Sequence, residues 1–182
     1  MNTNRNTPHV AHNSGNNEWY TPKEYIDAAR EVMGDIDLDP ASCEVANKTV
    51  NAKKFYTEHE NGLTKQWYGK VWLNPPYARS QILQFVKKLV NSEIEQAIVL
   101  INNATETTWF HLLLSRANAV VFPKGRVKFL MPNGTRGHPL QGQAVVYYGE
   151  NVRKFITEFG KFGIVLTTVF DPAERRALGG AK

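Results

Sequence analysis

Val71-Trp72-Leu73-Asn74-Pro75-Pro76-Tyr77 is the stretch on which the reading of the fold turns. Its three leading residues are apolar and read as a short buried strand. The two prolines cannot extend a ladder, because they lack N–H groups and hold the backbone extended. A strand that stops in a rigid loop fixes Asn74 and Tyr77 at a strand end, which is where open α/β sheets bind ligands. Beyond the loop, Ile82, Phe85, Val86 and Leu89 recur at helical spacing, which predicts a helix with Ser80 as its cap.

The same alternation continues outward in both directions. Upstream, Thr21-Pro22-Lys23-Glu24 reads as a capping box opening a helix that carries Ile26, Ala29 and Met33 and stops at Gly34. Asp35 to Asp39 reads as a short strand ended by Pro40. Downstream, Ala97 to Ile101 is a buried strand by its β-branched content, Trp109 to Ser115 a helix, and Ala119 to Phe122 a strand. Arg126 to Leu130 and Gln143 to Tyr148 read as two strands joined by a turn-rich segment, and Phe162 to Phe170 as the last strand. Strands alternating with helices predict an α/β fold with a mostly parallel sheet, helices on both faces and an antiparallel C-terminal hairpin.

At 182 residues and 20.6 kDa the chain is expected to form one domain. Residues 1–17 hold six asparagines, one arginine and no acidic residue, so they read as a flexible arm before a domain over 18–170 and a tail over 171–182. Charge is unevenly placed: residues 18–68 carry a net −4 and residues 69–182 a net +8. From Thr107 to Gly149 there is no acidic residue, while Arg116, Lys124, Arg126, Lys128 and Arg136 all lie there, a candidate phosphate-facing surface. The lone Cys43 excludes an internal disulfide and a cysteine-based zinc cluster, which suits a reducing cytoplasm. His59 and His111 have no partners at ligand spacing, so no metal is expected. The longest apolar run, Ala97 to Ile101, is far short of the roughly 20 residues that span a bilayer. No secretory signal is expected either, since the N-terminal residues hold no apolar core before a cleavage site.

Asn-Pro-Pro-Tyr resembles the catalytic loop of S-adenosylmethionine-dependent amino-group methyltransferases. The order of Glu18-Trp19-Tyr20-Thr21-Pro22, Asp37-Leu38-Asp39-Pro40-Ala41-Ser42, Asn61-Gly62-Leu63 with Trp67, and Leu73 to Tyr77 resembles the phage-type DNA N6-adenine methyltransferases, the Dam-like family. The resemblance runs over about 18–170. It implies a Rossmann-like methyltransferase sheet, S-adenosylmethionine as cofactor, DNA as partner and, if phage-encoded, action in the cytoplasm of a bacterial host. It also implies a cofactor site at Trp19, Tyr20, Thr21, Pro22, Asp39, Pro40, Ala41, Glu60 and Asn61, with Asp39 near the methionine amino group. Ala41-Ser42 stands where the broader methyltransferase pattern has glycines, and the acidic residue for the ribose stays open among Glu44, Glu58 and Glu60.

The residue chemistry agrees with a catalytic loop of Asn74, Pro75, Pro76 and Tyr77. An aromatic amine is a poor nucleophile, and hydrogen-bond acceptors that hold its two protons localise its lone pair and stabilise the developing charge. The Asn74 side-chain oxygen and the Pro75 carbonyl can serve as that pair, and Tyr77 offers a stacking face for a base taken out of the duplex. Cytosine carbon methylation needs an activated thiol, usually after a proline, whereas Cys43 lies between Ser42 and Glu44. For DNA, Lys124, Arg126 and Lys128 are expected at phosphates, Asn133, Arg136 and His138 in the loop Met131 to Gly142 at base edges, and Phe129 either in the core or as a second stacking face. Two other functions use the same loop: methylation of glutamine amides in proteins, and DNA binding without catalysis. The oligomeric state is not legible.

Overall fold

The computed structural model of the chain describes residues 19–130, 135–137 and 141–167, without the side chains of Arg79 and Ser80. The expected arm (1–17) and tail (171–182), together with Asn133 and His138, lie outside the described residues. In chain order the elements are α1 (Lys23–Met33), β1 (Leu38–Asp39), α2 (Glu44–Val50), β2 (Lys54–Phe55), a 3₁₀ turn (Gly62–Thr64), β3 (Lys70–Leu73), α3 (Arg79–Val90), β4 (Gln96–Asn102), α4 (Thr108–Leu114), β5 (Ala119–Pro123), β6 (Phe129–Leu130), β7 (Arg136–Gly137), β8 (Gln143–Tyr148), α5 (Val152–Phe159) and β9 (Gly163–Thr167).

Seven strands form one sheet in the order β2-β1-β3-β4-β8-β5-β9, and β6 and β7 form a separate antiparallel ribbon. β2, β1, β3 and β4 run parallel, β8 enters antiparallel between β4 and β5, and β9 closes the edge antiparallel to β5. Five of the seven strands thus share one direction. Side chains alternate across the sheet, as the two-residue period requires. Trp72, Ile98 and Tyr147 pack with α1, α5 and Val50 of α2, while Leu73, Val99 and Val146 pack with α3 and α4. Trp72, Tyr147, Phe155 and Phe159 are fully buried, and each such side chain removed from water contributes about 1.5–3 kcal/mol.

The chain steps from β1 outward to β2 through α2 on one face, then returns to the other side of β1 as β3 and leaves through α3 on the opposite face. The strand order therefore reverses between β1 and β3, and the helices that follow them diverge to open a crevice at their carboxyl ends. Among the described residues no helix is long and apolar enough to cross a membrane.

Several local expectations need correction. Thr21 does not cap α1: the helix starts at Lys23 with Pro22 at the N-cap and no side-chain cap, one residue later than the capping box requires, and the Thr21 hydroxyl faces Asn74 Nδ2 instead. α3 starts at Arg79 after Ala78, so Ser80 falls inside the first turn. Arg126 to Lys128 precede β6 and are not strand, although Val127 and Phe129 are buried and Arg126 and Lys128 exposed in the expected alternation. β8 pairs with β4 and β5 and not with β6, whose partner β7 lies within the segment read as turns. α5 was not expected, although Val152, Phe155, Ile156 and Phe159 carry its spacing.

Candidate active site

β1 delivers Asp39 to the crevice and β3 delivers Asn74. Asp39 is 2% exposed, and the Ala41 backbone N–H donates to its carboxylate at 3.3 Å. Burial pushes its carboxyl up to about 7; the nearby Ser42 hydroxyl and Ala41 N–H oppose this weakly. The Ser42 Oγ is itself buried, with no well-aligned hydrogen-bond partner among the described residues. Two polar groups are therefore buried together at the strand end, an arrangement that favours a bound cation or hydrogen-bond donor.

The loop after β3 is held from two sides. The Asn74 Nδ2 donates to the Trp19 carbonyl at 3.0 Å and lies 3.5 Å from Thr21 Oγ1. The Tyr77 hydroxyl donates to Asn74 Oδ1 at 2.9 Å, and burial drives the phenol far above its ordinary range, so it stays a donor. A backbone carbonyl can only accept, so the amide is fixed with its nitrogen toward Trp19 and its oxygen toward Tyr77. A carbonyl oxygen has two lone pairs, so Oδ1 keeps one for a further donor.

These groups face one cavity of about 730 Å³. Trp19, Tyr20 and Thr21 line it beside Asn74, Pro75, Pro76 and Tyr77, with which they are in contact, and Asp39, Pro40 and Ala41, its floor at the end of β1, and Asn61 line it as well. The sequence-expected catalytic and cofactor residues are thus brought together, with two exceptions. Pro22 is buried at the start of α1, outside the lining. Glu60 turns away: it accepts from the Thr57 N–H at 3.0 Å and pairs with Lys54 at 3.6 Å, and those contacts, the Thr57 N–H foremost, hold its carboxyl below the usual range. Glu44 and Glu60 line a smaller hollow with Lys53 and Lys54, whereas Glu58 lines the main cavity.

Residues that the sequence did not assign to the site also line the cavity. Ser42 and Cys43 follow Asp39, Thr57 and His59 flank Glu58, Trp72 backs the cavity, and Gln81, Gln84 and Phe85 face it from α3. The Gln81, Gln84 and Phe85 spacing directly after the proline loop was a usable signal; for His59 there was none.

The DNA-binding expectations divide. Lys124, Arg126, Lys128 and Arg136 are exposed. Phe129 is fully buried and offers no face to a base: its ring meets those of Trp19 at 5.9 Å and Tyr77 at 6.4 Å, both edge-on. Its strand also pairs with Tyr20, whose N–H donates to the Leu130 carbonyl at 2.9 Å and whose carbonyl accepts from the Leu130 N–H at 2.9 Å.

A doubly wound sheet with a polar cavity at its reversal point, walled by a proline-locked amide, is a Rossmann-like domain of the methyltransferase type. Residues 9–165 match the family described as DNA N-6-adenine-methyltransferase (Dam), and the chain belongs to that family. It is similar to a DNA N-6-adenine-methyltransferase of Escherichia phage T1, 41% identical over 100 residues that cover 50% of this chain and 38% of the relative. The matched part is thus well under half of that relative's length.

Proposed function

We propose that the chain transfers the methyl group of S-adenosylmethionine to the exocyclic amino group of adenine in DNA, with the target base flipped out of the duplex. The observation that carries this reading is the fixed amide of Asn74, whose oxygen faces the same cavity as the buried Asp39 carboxyl. Bound in that cavity, S-adenosylmethionine supplies an electrophilic methyl group on a sulfonium sulfur. Asp39 and Ser42 fit its cationic amino-acid end, since one is a buried carboxyl with no cation beside it among the described residues and the other a buried hydroxyl close to that carboxyl. Glu58, the one acidic candidate of the three that faces the cavity, takes the ribose hydroxyls. Asn74 Oδ1 and the Pro75 carbonyl accept the two amine protons and aim the nitrogen at the methyl group. Net transfer breaks the sulfur–carbon bond, forms a nitrogen–carbon bond and releases one amine proton.

Binding should depend on pH through Asp39. Its carboxyl is neutral in the ligand-free fold below about 7, whereas a cationic partner requires it ionised. A carboxyl that holds its proton more tightly in the fold makes the ligand-free fold less stable as pH climbs from the ordinary carboxylate range through 7, and makes cofactor affinity rise over the same interval. Calorimetry is expected to show roughly tenfold tighter binding at pH 7.5 than at pH 6.0, and a flatter, weaker profile for Asp39→Asn.

The exposed basic residues divide by role. Lys128→Ala should weaken binding to every DNA sequence alike and reduce the salt slope by about one. Arg136→Ala should instead relax the preferred sequence, with discrimination at one base position falling about five- to hundredfold. Titrations at several salt concentrations, paired with sequencing of methylated sites, check both.

The reading is tested by supplying labelled S-adenosylmethionine with DNA, RNA and a protein extract in separate reactions. Label is expected in DNA alone. Label in glutamine of protein would replace the DNA reading, and cofactor binding with no transfer to any of the three would leave a DNA-binding module.

A further inference from the structure

Phe129 closes a circuit of contacts around the acceptor amide. Asn74 Nδ2 donates to the Trp19 carbonyl at 3.0 Å, the Trp19 ring packs on Phe129, Phe129 packs on Tyr77, and Tyr77 returns to Asn74 Oδ1 at 2.9 Å. Phe129 is the member of that circuit that belongs to β6, hence to the ribbon whose other strand carries Arg136. The backbone bridge between Tyr20 and Leu130 ties the same two segments a second time. Trp19 and Tyr77 are half-buried and line the cavity, and the fully buried Phe129 packs against both rings.

We infer that Phe129 is a positioning residue, through which the β6–β7 ribbon sets the orientation of the Asn74 amide. This rests on the methyl-transfer reading only for its effect on turnover. If the Phe129 ring is removed, Trp19 and Tyr77 gain freedom, and the two hydrogen bonds that fix the amide loosen together. Phe129 is absent from the cavity lining and acts on it through the Trp19 and Tyr77 rings, so turnover is expected to fall further than cofactor or DNA affinity. The ribbon would thereby couple the engagement of DNA to the readiness of the acceptor.

The test is Phe129→Leu in the full chain, with Phe129→Met carrying the same measurements if the leucine variant does not melt cooperatively. The Asn74 side-chain NH₂ resonances, assigned by their loss in Asn74→Asp, are expected to shift and to exchange with water about tenfold faster. With DNA, kcat should fall about tenfold while KM for DNA and Kd for S-adenosylmethionine stay within about twofold. Unmoved Asn74 resonances in a folded variant overturn the inference, as does a loss of activity that appears wholly in KM or cofactor Kd. A wild-type chain that transfers no methyl to DNA would defeat the proposed function while leaving the resonance test of positioning intact.

Discussion

Asn74→Ala is expected to lower methyl transfer at least about a hundredfold while leaving cofactor affinity within about twofold, the magnitude seen when one fixed polar partner of a developing charge is removed. The side chain spends its nitrogen on Trp19 and presents its oxygen to the cavity, so its truncation removes an acceptor from the target amine and nothing from the floor at Asp39. Tyr77 adds a graded control. Tyr77→Phe keeps the ring on Phe129 and loses only the hydroxyl's bond to Asn74, so a three- to tenfold loss of about 1 kcal/mol is expected. Tyr77→Ala removes the ring as well and should cost more. Single-turnover kinetics at saturating DNA, with cofactor binding measured by calorimetry, separates these effects. Equal activity of Tyr77→Phe and wild type would show that the hydroxyl does not orient the amide.

Gly62→Ala is expected to be the most damaging single-methyl change in the described structure of the cavity. A Cβ at this position would stand 2.0 Å from the Pro40 carbonyl oxygen and 3.0 Å from its carbon, so backbone meets side chain where neither can rotate away. Both loops are anchored: the Gly62 carbonyl accepts from Trp67 Nε1 at 2.8 Å, and the Ser42 N–H donates to the Tyr56 carbonyl at 2.9 Å. Relief requires the floor at Asp39-Pro40 to move from the 3₁₀ turn. Overpacking of this kind costs about 3 kcal/mol. In a domain of this size that lowers Tm by about 6–12 °C. Cofactor affinity should fall more than tenfold alongside it. A variant with unchanged Tm and unchanged affinity would mean that the two loops are not packed as described.

How much of this was legible in the sequence depends on the range of the interaction. The proline loop at Asn74 to Tyr77 and the strand end at Asp39-Pro40 announce themselves locally, because proline fixes its own backbone and ends strands whatever surrounds it. Their adjacency, on which the site depends, comes from β1 pairing with β3 across α2 and β2, and no short-range pattern encodes that. α5 carries a helical spacing in Val152, Phe155, Ile156 and Phe159, which is a local and legible signal. β1 and β2 hold two residues each, too few for any period to show. Phe129 alternates with Arg126 and Lys128 as a surface strand would, so the pattern alone left its face open. The rings of Trp19 and Tyr77, which settle it, arrive from 110 and 52 positions away along the chain. Thr21 shows the opposite failure: its local signal as a helix cap was strong, but a distant partner, Asn74, holds its hydroxyl instead.

Identifying the modified nucleoside tests the central claim most directly. DNA is incubated with the chain and S-adenosylmethionine bearing a trideuterated methyl group, then digested to nucleosides and measured by mass spectrometry for the wild type and for Asn74→Ala. The account predicts trideuterated N6-methyldeoxyadenosine from the wild type and at most about a hundredth as much from the variant. Label on cytosine, label on no base, or an undiminished adenine product from Asn74→Ala would contradict it.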